Sequence, residues 1–321
     1  MQGKSVKIVA PNHREYNVLV KTPILYDPSQ TSACATNTNE IPMFDPHSVQ
    51  EIKEFFEDFG FVVIAGNVST SKNRTDLKQL MVQVAQEQPN AIKSGFLELT
   101  HDHALAELRQ DTLMYKVFAN LFGTDKLWSV FDRVIYHPPN SEPELLNPHV
   151  DQSPVTHPDF YAVQGMLALE AMNEFTGTLA LIPTSQKWFH VYAHWAKGNE
   201  QFIENQAPQL PPMTALCVPE GALIIWDSRT THSRYWGIQE KQHRKPRFAA
   251  LITYMVAPNP EDEKTQEWIA IRKECFLAGI SKNNHEAGMR ATAAPRYEAS
   301  LRKRPEQLTS LGRKLYGVEP W

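Results

Sequence analysis

Two histidines and one aspartate are the side chains of this sequence whose types and spacing best suit a bound metal ion. His149 and Asp151 stand two residues apart, and His232 lies far downstream. Side chains two apart on a β-strand point to the same side, so His149 and Asp151 can reach one ion, while the third ligand must come from another strand. Two imidazoles and a carboxylate on one face of an octahedral ion leave the opposite positions open. That is the ligand set of non-haem Fe(II) oxygenases, although other divalent ions bind it as well.

Two other histidine segments offer competing sites. Residues 157–159 (HPD) repeat the histidine–aspartate spacing but contain a proline and lie in a proline-rich stretch, which indicates a loop. Residues 101–103 (HDH) open a segment of good helix formers, so we expect surface or helix-capping side chains there. We therefore choose His149 and Asp151 over both.

Arg247 is the residue best placed to bind an anion beside this metal. It opens the apolar run RFAALITYMVAP, bounded by Pro246 and Pro258, which predicts a core strand. A buried guanidinium needs a carboxylate partner, because an unpaired buried charge is costly. The partner is either an Asp or Glu of the protein or the far carboxylate of 2-oxoglutarate, held by two parallel hydrogen bonds. Arg244, in the polar loop just upstream, is the alternative anchor.

Four longer segments extend the pattern beyond single residues. They are FFEDFGFVVIAGNVS at 55–69, YAVQGMLALEAMNEFTGTLALIPTSQKW at 161–188, WDSRTTHS at 226–233 and LTSLGRKLYGVEPW at the C-terminus. In these segments the chain resembles the phytanoyl-CoA dioxygenase family of Fe(II)/2-oxoglutarate oxygenases. They resemble that family's opening helix and strand, its central hairpin, the segment with its second metal histidine and its C-terminal end.

The resemblance implies a role for each matching residue. The implied iron ligands are His149, Asp151 and His232. Arg247 is implied as the anchor of 2-oxoglutarate, and His137 falls where relatives often place a basic residue that touches the same carboxylate. Gln164 is placed to face the co-substrate or substrate, and a hydrogen-bonded core glutamine is the alternative.

The presence of Asp151 bears on the reaction. Relatives that halogenate have a small residue at that position, so the resemblance implies hydroxylation or a related oxidation of a C–H bond. The implied cofactors are Fe(II) and the co-substrate 2-oxoglutarate, which is converted to succinate and CO2, with O2 as the oxidant. The alternative is a metal-binding jelly-roll isomerase, or a ligand-binding protein without oxygenase activity.

The expected substrate is a small-molecule metabolite. Loops at 91–101, 137–147 and 152–160 are expected to border the pocket, because they stand beside the strand end that carries His149. The candidate substrate contacts are Phe96, Ser153, Phe160 and Trp226. Each of these side chains could equally belong to the core.

The order of elements predicts a mainly β fold with flanking helices, whose core is a double-stranded β-helix, also called a jelly roll or cupin-like fold. We expect a single Fe(II)/2-oxoglutarate oxygenase domain across residues 1–321. Within it we expect a mainly helical part at 1–125, the jelly-roll core at 126–257 and a C-terminal helical appendage at 258–321.

Hydrophobic periodicity and turn residues locate the individual elements. The predicted helices are at about 46–58, 71–88, 103–121 and 261–279. The clearest predicted strands are at about 61–65, 130–136, 162–170, 178–182, 222–226 and 247–256. The first helix is expected to start at the capping signal Asp45-Pro46 and to end at Gly60.

The composition is that of an ordinary globular chain, with 321 residues, 42% hydrophobic, 21% charged and a net charge of −4. No apolar run is long enough to cross a membrane, and the first residues lack a secretory signal. The three cysteines, Cys34, Cys217 and Cys275, lie far apart and are expected to be free thiols in a reducing compartment. We therefore expect a cytoplasmic protein without a membrane partner.

Basic residues are concentrated in the tail at 281–321, which has eight Lys or Arg against four Asp or Glu. A nucleic-acid surface would cluster its basic side chains and interleave them with aromatic ones, whereas these are spaced apart. The tail is therefore expected to be a solvated helical appendage, with no nucleic-acid partner. The sequence leaves the oligomeric state open.

Overall fold

The structure is a computed structural model that describes twelve stretches of the chain. They are residues 4–9, 15–20, 41–66, 68–87, 95–97, 99–141, 146, 148–155, 158–192, 213–237, 240–278 and 308–321. His157, the first residue of the competing segment at 157–159, lies outside the described residues.

The described strands form two sheets and a separate antiparallel hairpin. They are β1 (Lys4–Val9), β2 (Glu15–Val20), β3 (Met43–Phe44), β4 (Phe61–Ile64), β5 (Phe96–Leu97), β6 (Leu127–Ser129), β7 (Val134–His137), β8 (Ala162–Ala168), β9 (Thr178–Leu181), β10 (Thr214–Ala215), β11 (Leu223–Asp227), β12 (His232–Tyr235), β13 (Arg247–Leu251) and β14 (Tyr254–Val256). The large sheet has the order β3-β4-β11-β8-β13-β7-β5, and β14 pairs with both β6 and β8. The small sheet has the order β10-β9-β12, and β1 pairs with β2.

Helices flank this β core. They are α1 (Val49–Phe59), α2 (Ser71–Glu87), α3 (His103–Arg109), α4 (Thr112–Phe122), α5 (Phe189–Tyr192), α6 (Glu263–Ala278) and α7 (Ser310–Leu315). The predicted mainly β fold with flanking helices is therefore confirmed, and the described strands do not close into a barrel. Within the described part of the chain, no helix is long and apolar enough to cross a membrane.

Strand β8 lies at the centre of the large sheet, where it pairs with β11, β13 and β14. It is buried along its whole length, as its apolar composition requires. Gly165 in its middle allows close approach from one face, since a Cβ there would lie 2.8 Å from both the Ile252 carbonyl oxygen and the Phe118 ring. Gln164 and Met166 alternate with Gly165 and point to the other face.

That other face of β8 is the inner face of a sandwich. Trp226 on β11 lies opposite Gln164, and Leu251 on β13 lies opposite Met166, so these side chains share one side of the large sheet. On the small sheet, Leu179 of β9 lies opposite Arg234 of β12. Both side chains line the space between the two sheets. The two sheets therefore face each other across an internal space.

The N-terminal part also contributes to this sheet, because β3 and β4 extend it beside β11 while β5 pairs with β7 at the other edge.

At the C-terminus, α6 is joined to β6 by Arg272, which stacks on Trp128 and donates to the Ser129 carbonyl at 2.5 Å. The Trp321 indole donates to the Leu127 carbonyl at 2.8 Å, so the end of the chain packs on β6 as well. The division at residues 125 and 257 stays a prediction.

Two predicted elements are divided in the structure. The helix predicted at 103–121 is α3 followed by α4, because Asp111 takes an extended backbone and accepts hydrogen bonds from the N–H groups of Leu113 and Met114. The strand predicted at 247–256 is β13 followed by β14, with Ile252 and Thr253 between them. The prediction that α1 ends at Gly60 is confirmed, since Gly60 has a φ of 75°.

Two expectations about individual side chains were wrong. His101 is buried rather than at the surface, and its ring packs edge-on against Phe131, with centroids 4.6 Å apart. Its neighbour Asp102 does cap α3, accepting from the Ala104 N–H at 2.9 Å. Cys275 is buried and is not disulfide-bonded, whereas Cys217, also expected to be a thiol, is disulfide-bonded.

We expect Asp111→Ala to lower the free energy of unfolding by about 1 kcal/mol, because the start of α4 loses its side-chain acceptor. Asp111→Asn is the matched control: it retains an oxygen in the same place and should unfold close to the wild type. Urea denaturation followed by circular dichroism measures both. An equal loss in the two variants would show that the carboxylate acts through its charge and not as a cap.

Candidate metal centre

The three side chains chosen from the sequence come together in the structure. His149, Asp151 and His232 each offer one ligand atom, and these atoms lie within 4.8 Å of one another. The Nε2 atoms of His149 and His232 lie 3.5 and 3.1 Å from the Asp151 carboxylate oxygens. Both histidines are buried and Asp151 is partly exposed, so the cluster lies just inside the protein surface.

A backbone bridge brings the two histidines together. The His149 N–H donates to the His232 carbonyl at 3.0 Å, and the His232 N–H donates back to the His149 carbonyl at 2.9 Å. This reciprocal pair joins the segment before β8 to β12, and it places the two imidazole centroids 4.5 Å apart. Asp151 then reaches the same point because it stands two residues beyond His149.

Hydrogen bonds from outside the cluster orient its members. The Nδ1 atom of His232 lies 2.9 Å from the Thr230 carbonyl. A carbonyl only accepts, so Nδ1 carries the proton and Nε2 presents its lone pair to the cluster. The Gln164 amide donates to Asp151 Oδ2 at 2.6 Å, which fixes the direction of the carboxylate. A preformed set of two imidazole nitrogens and one carboxylate suits a divalent ion such as Fe(II).

The cluster opens onto a cleft with a cavity volume of about 110 Å³, partly open to solvent, between the two sheets. Apolar side chains make up much of its wall. They are Phe96, Ile135, Leu146, Met166, Leu179 and Leu251. A concave, largely apolar space with a few convergent polar groups is the usual form of a small-molecule site.

Arg247 supplies a buried positive charge to this cleft. Its side chain is 2% exposed, and one of its guanidinium nitrogens lies 3.3 Å from the Met166 sulfur. Nε and Nη1 have no hydrogen-bond partner among the described residues. Burial, followed by the nearby charge of Arg234, lowers the pKa of Arg247 to about 9. An anion in the cleft would relieve this cost, since it would pair with the unsatisfied donors.

Arg244, the alternative anchor, lies elsewhere. It donates to the Ser141 carbonyl at 3.0 Å and does not line the cleft. Of the two arginines left open by the sequence, Arg247 is therefore the one beside the metal cluster. That it anchors a dicarboxylate remains a prediction.

Sequence reasoning gave no role to Arg234, which lines the cleft from the small sheet. Its guanidinium lies 4.7 Å from the Trp236 ring and 5.4 Å from the Phe96 ring. A signal for it was available, because Arg234 stands two residues beyond His232 on one strand and so points to the same side. The cleft thus receives a guanidinium from each sheet.

His137 and Gln164 differ in whether they line the cleft. His137 is buried, and the register of the two strands sets it opposite Arg247, with His137 on β7 and Arg247 on β13. His137 does not line the cleft. Burial and the charges of three arginines, Arg234 first, hold the pKa of His137 well below its usual range, so its ring is neutral near pH 7. Gln164 lines the cleft, and its amide contacts the carboxylate of a candidate metal ligand.

The four candidate substrate contacts divide into two pairs. Phe96 and Trp226 line the cleft. Ser153 does not, and its hydroxyl accepts from the Val155 N–H at 3.1 Å. Phe160 packs against a cluster of buried side chains that includes Trp128 and Phe131. Its ring does not line the cleft either.

Comparisons with known proteins agree with this architecture. The family model described as Phytanoyl-CoA dioxygenase (PhyH) matches residues 41–233. The chain is 23% identical over 222 residues to "Ava biosynthesis cluster protein O" of Aspergillus versicolor, covering 63% of this chain and 69% of that protein.

Two solved structures resemble the chain at low identity. GlcNAc Inducible Gene 2 (GIG2, DUF1479) from Candida albicans matches with a TM-score of 0.65 and 14% identity, over 88% of this chain and 80% of that one. The epimerase SnoN, crystallised with Fe3+, alpha ketoglutarate and nogalamycin RO, matches with a TM-score of 0.51 and 16% identity, over 66% of this chain and 85% of that one. At such identities the likeness shows the fold alone, and it confirms the predicted cupin-like jelly roll.

We expect Gln164→Leu to weaken metal binding about ten- to a hundredfold, because Asp151 loses the donor that orients its carboxylate. Anaerobic titration with Fe(II), or with Mn(II) as a stable substitute, measures the affinity. Gln110→Leu is the control, because Gln110 is also buried and hydrogen-bonded but lies outside the cleft. Unchanged affinity in Gln164→Leu would show that the amide does not support the metal site.

Proposed function

The chain belongs to the phytanoyl-CoA dioxygenase family, and from that premise we propose that it is an Fe(II)/2-oxoglutarate-dependent dioxygenase. The proposed reaction hydroxylates a C–H bond of a small-molecule metabolite and releases succinate and CO2. One observation carries the proposal: the His149, Asp151 and His232 cluster shares its cleft with Arg247, a buried cation with unsatisfied donors.

The residues present fit the proposed cofactors. Two neutral imidazoles and one carboxylate would hold Fe(II) and leave positions free for a chelating ligand and O2. The free donors of Arg247 suit a carboxylate at the far end of that ligand. 2-Oxoglutarate meets both requirements, because it joins a metal-chelating keto-acid group to a second carboxylate. When bound, Fe(II) and 2-oxoglutarate together convert O2 into an oxidant strong enough to attack a C–H bond.

The protein's own contribution is to position the reactants and exclude water. His232 keeps its Nε2 lone pair toward the cluster through its bond to Thr230, and Gln164 holds the Asp151 carboxylate. Arg247 fixes one end of the co-substrate, which orients the other end toward the three ligands. The neutral ring of His137, directly across from Arg247, adds no further positive charge beside the carboxylate site.

The proposed substrate class rests on the cleft wall and on what relatives handle. Apolar side chains form much of the wall, which favours a small organic molecule over a polymer. The curated relative belongs by its name to a biosynthesis cluster, and SnoN was crystallised with nogalamycin RO. Both point toward small-molecule metabolism for this chain.

Isomerisation is the second candidate function. SnoN is described as an epimerase although it was crystallised with alpha ketoglutarate, so this fold does not dictate hydroxylation. An isomerase that consumes 2-oxoglutarate and O2 would give succinate, CO2, water and a product of unchanged mass, and it would require an external two-electron reductant. Hydroxylation requires no such reductant and adds one oxygen atom to the substrate. A binding protein without oxygenase activity would form no succinate.

The deciding experiment is an anaerobic titration of the metal-free protein with Fe(II) and then 2-oxoglutarate. A weak visible charge-transfer band should appear in the wild type and be absent in His149→Ala, which lacks one ligand. Admission of O2 should then yield succinate from the wild type alone. If iron binds but no band forms, the 2-oxoglutarate assignment is wrong and a metal-binding jelly roll without oxygenase activity is favoured.

We expect Arg247→Met to weaken 2-oxoglutarate binding at least about tenfold, because each hydrogen bond to a charged group contributes about 1.5–3 kcal/mol. The same charge-transfer band gives the affinity. Arg244→Met is the matched control and should bind normally, since its guanidinium donates to the Ser141 carbonyl outside the cleft. The opposite result, with Arg244→Met impaired and Arg247→Met normal, would identify the other arginine as the anchor.

A further inference from the structure

Two guanidinium groups of the cleft wall, other than that of Arg247, meet at the Phe96 ring. The central carbon of Arg133 lies 4.1 Å from the ring centroid, and that of Arg234 lies 5.4 Å from it. The two carbons are therefore at most 9.5 Å apart, because the distances of 4.1 and 5.4 Å are measured to one point. All three side chains line the cleft. We name Phe96, Arg133 and Arg234 the edge cluster, since Phe96 is on the edge strand β5.

The edge cluster can be reached by a molecule in the cleft. Arg133 and Phe96 are both partly exposed, and the cleft that they line is itself partly open to solvent. Arg234 lines the same space from β12 on the small sheet. Stacking on a ring uses the face of a guanidinium, whereas its N–H donors lie in the plane and point past the ring. The cluster therefore presents donors of fixed direction at one edge of the cleft.

The formal charges of the cleft wall favour an anionic substrate. The charged side chains among the described residues of the wall are three arginines and two aspartates, namely Arg133, Arg234, Arg247, Asp132 and Asp151. With the two histidines counted as neutral, three positive and two negative charges leave one positive charge in excess. Fe(II) and 2-oxoglutarate carry opposite charges of equal size, so their binding would leave that excess unchanged. A substrate with one negative charge would balance it.

The register of the large sheet separates Arg133 from the proposed co-substrate anchor. The Leu251 N–H donates to the Arg133 carbonyl at 3.2 Å, so Arg133 stands beside Leu251 at the far end of β13 from Arg247. Four residues of a strand span about 13 Å, so the two arginines enter the cleft from separate points. A carboxylate of 2-oxoglutarate held by Arg247 therefore does not occupy the position of Arg133.

Apolar side chains connect the edge cluster to the metal ligands. Ile135 on β7 lies opposite Phe96, and Leu251 on β13 lies opposite Met166 on β8, and all four line the cleft. Strand β8 also carries Gln164, whose amide contacts a metal ligand. Two strand spacings, about 10 Å, separate β7 from β8. A molecule held at the edge cluster therefore needs an apolar part of about this length to reach the metal.

We propose that the edge cluster binds a carboxylate of the substrate, and that the substrate is a monocarboxylic acid whose apolar part extends toward the metal. The inference rests on the proposed function and adds a substrate class to it. Arg133 and Arg234 donate to the carboxylate, while Phe96 and the apolar wall contact the hydrocarbon part. The C–H bonds remote from the carboxylate are then the ones that approach the metal ligands. A single excess charge favours a carboxylate over a phosphate monoester, which carries nearly two negative charges near pH 7.

The probes are 3-phenylpropionate and 3-phenylpropionamide, which share a carbon frame and differ by one negative charge. Their affinities are measured by calorimetry in the Zn(II)-loaded protein with saturating 2-oxoglutarate, so that Arg247 is occupied. Arg133→Met and Arg234→Met remove one guanidinium each and retain an unbranched side chain. Arg244→Met is the matched control, since its guanidinium donates to the Ser141 carbonyl outside the cleft.

We expect the wild type to bind the acid at least about tenfold more tightly than the amide, because hydrogen bonds to a charged group contribute more than neutral ones. Arg133→Met and Arg234→Met should each lose most of that preference and bind 2-oxoglutarate as the wild type does. Arg244→Met should keep the preference. Binding of the amide and of 2-oxoglutarate shows that a variant is folded, and if one variant does not fold, the other decides.

Three results would overturn the proposal. The wild type could fail to prefer the acid, a folded Arg133→Met or Arg234→Met protein could keep the full preference, or either variant could lose affinity for 2-oxoglutarate instead, which would assign its guanidinium to the co-substrate. Failure of the proposed function looks different, since the wild type would then form no charge-transfer band with Fe(II) and 2-oxoglutarate. The probes are in that case titrated without 2-oxoglutarate into Arg247→Met proteins, with and without the second substitution, which still tests the edge cluster.

Discussion

The reciprocal backbone hydrogen bonds between His149 and His232 are the interaction on which the metal cluster depends. Each such bond contributes only about 1 kcal/mol to stability, so its importance lies in geometry. The bridge fixes the register between β12 and the segment before β8. A slip of one residue would turn every side chain of β12 to the other face of the small sheet, removing His232 and Arg234 from the cleft together. Metal ligation and cleft charge thus share one structural requirement.

The cleft contains a buried guanidinium, that of Arg247, with donors that no described residue accepts. Arg247 is buried with unsatisfied donors, and Arg234 on the opposite sheet adds a second positive charge that lowers the pKa of Arg247 further. Such an arrangement costs stability in the protein without ligands, and the long buried strands of the large sheet offset that cost. A dianion that binds the folded protein and not the unfolded chain stabilises the fold in proportion to its affinity, so the same charges link ligand binding to stability.

The sequence identified the parts of the site that follow from local rules. His149 and Asp151 were found by strand periodicity, His232 by its place after an apolar strand, and Arg247 by its position at the start of another. Arg234 stands two residues beyond His232 on the same strand, so the same periodicity predicts that it faces the cleft. His101 was assigned to the surface because its neighbours form a helix, whereas its burial depends on Phe131 and Tyr316, which are distant in sequence. Such contacts have no local signal, and neither did the disulfide of Cys217.

Strand β8 links the packing of the helices to the specificity of the cleft. Its outer side accepts the Phe118 ring of α4 against Gly165, while the adjacent Gln164 and Met166 face the cleft on its inner side. The metal cluster depends on β8 through Gln164 and on β12 through His232, and Arg247 enters the same cleft from β13, so a change in β8 would disturb the core and the site together.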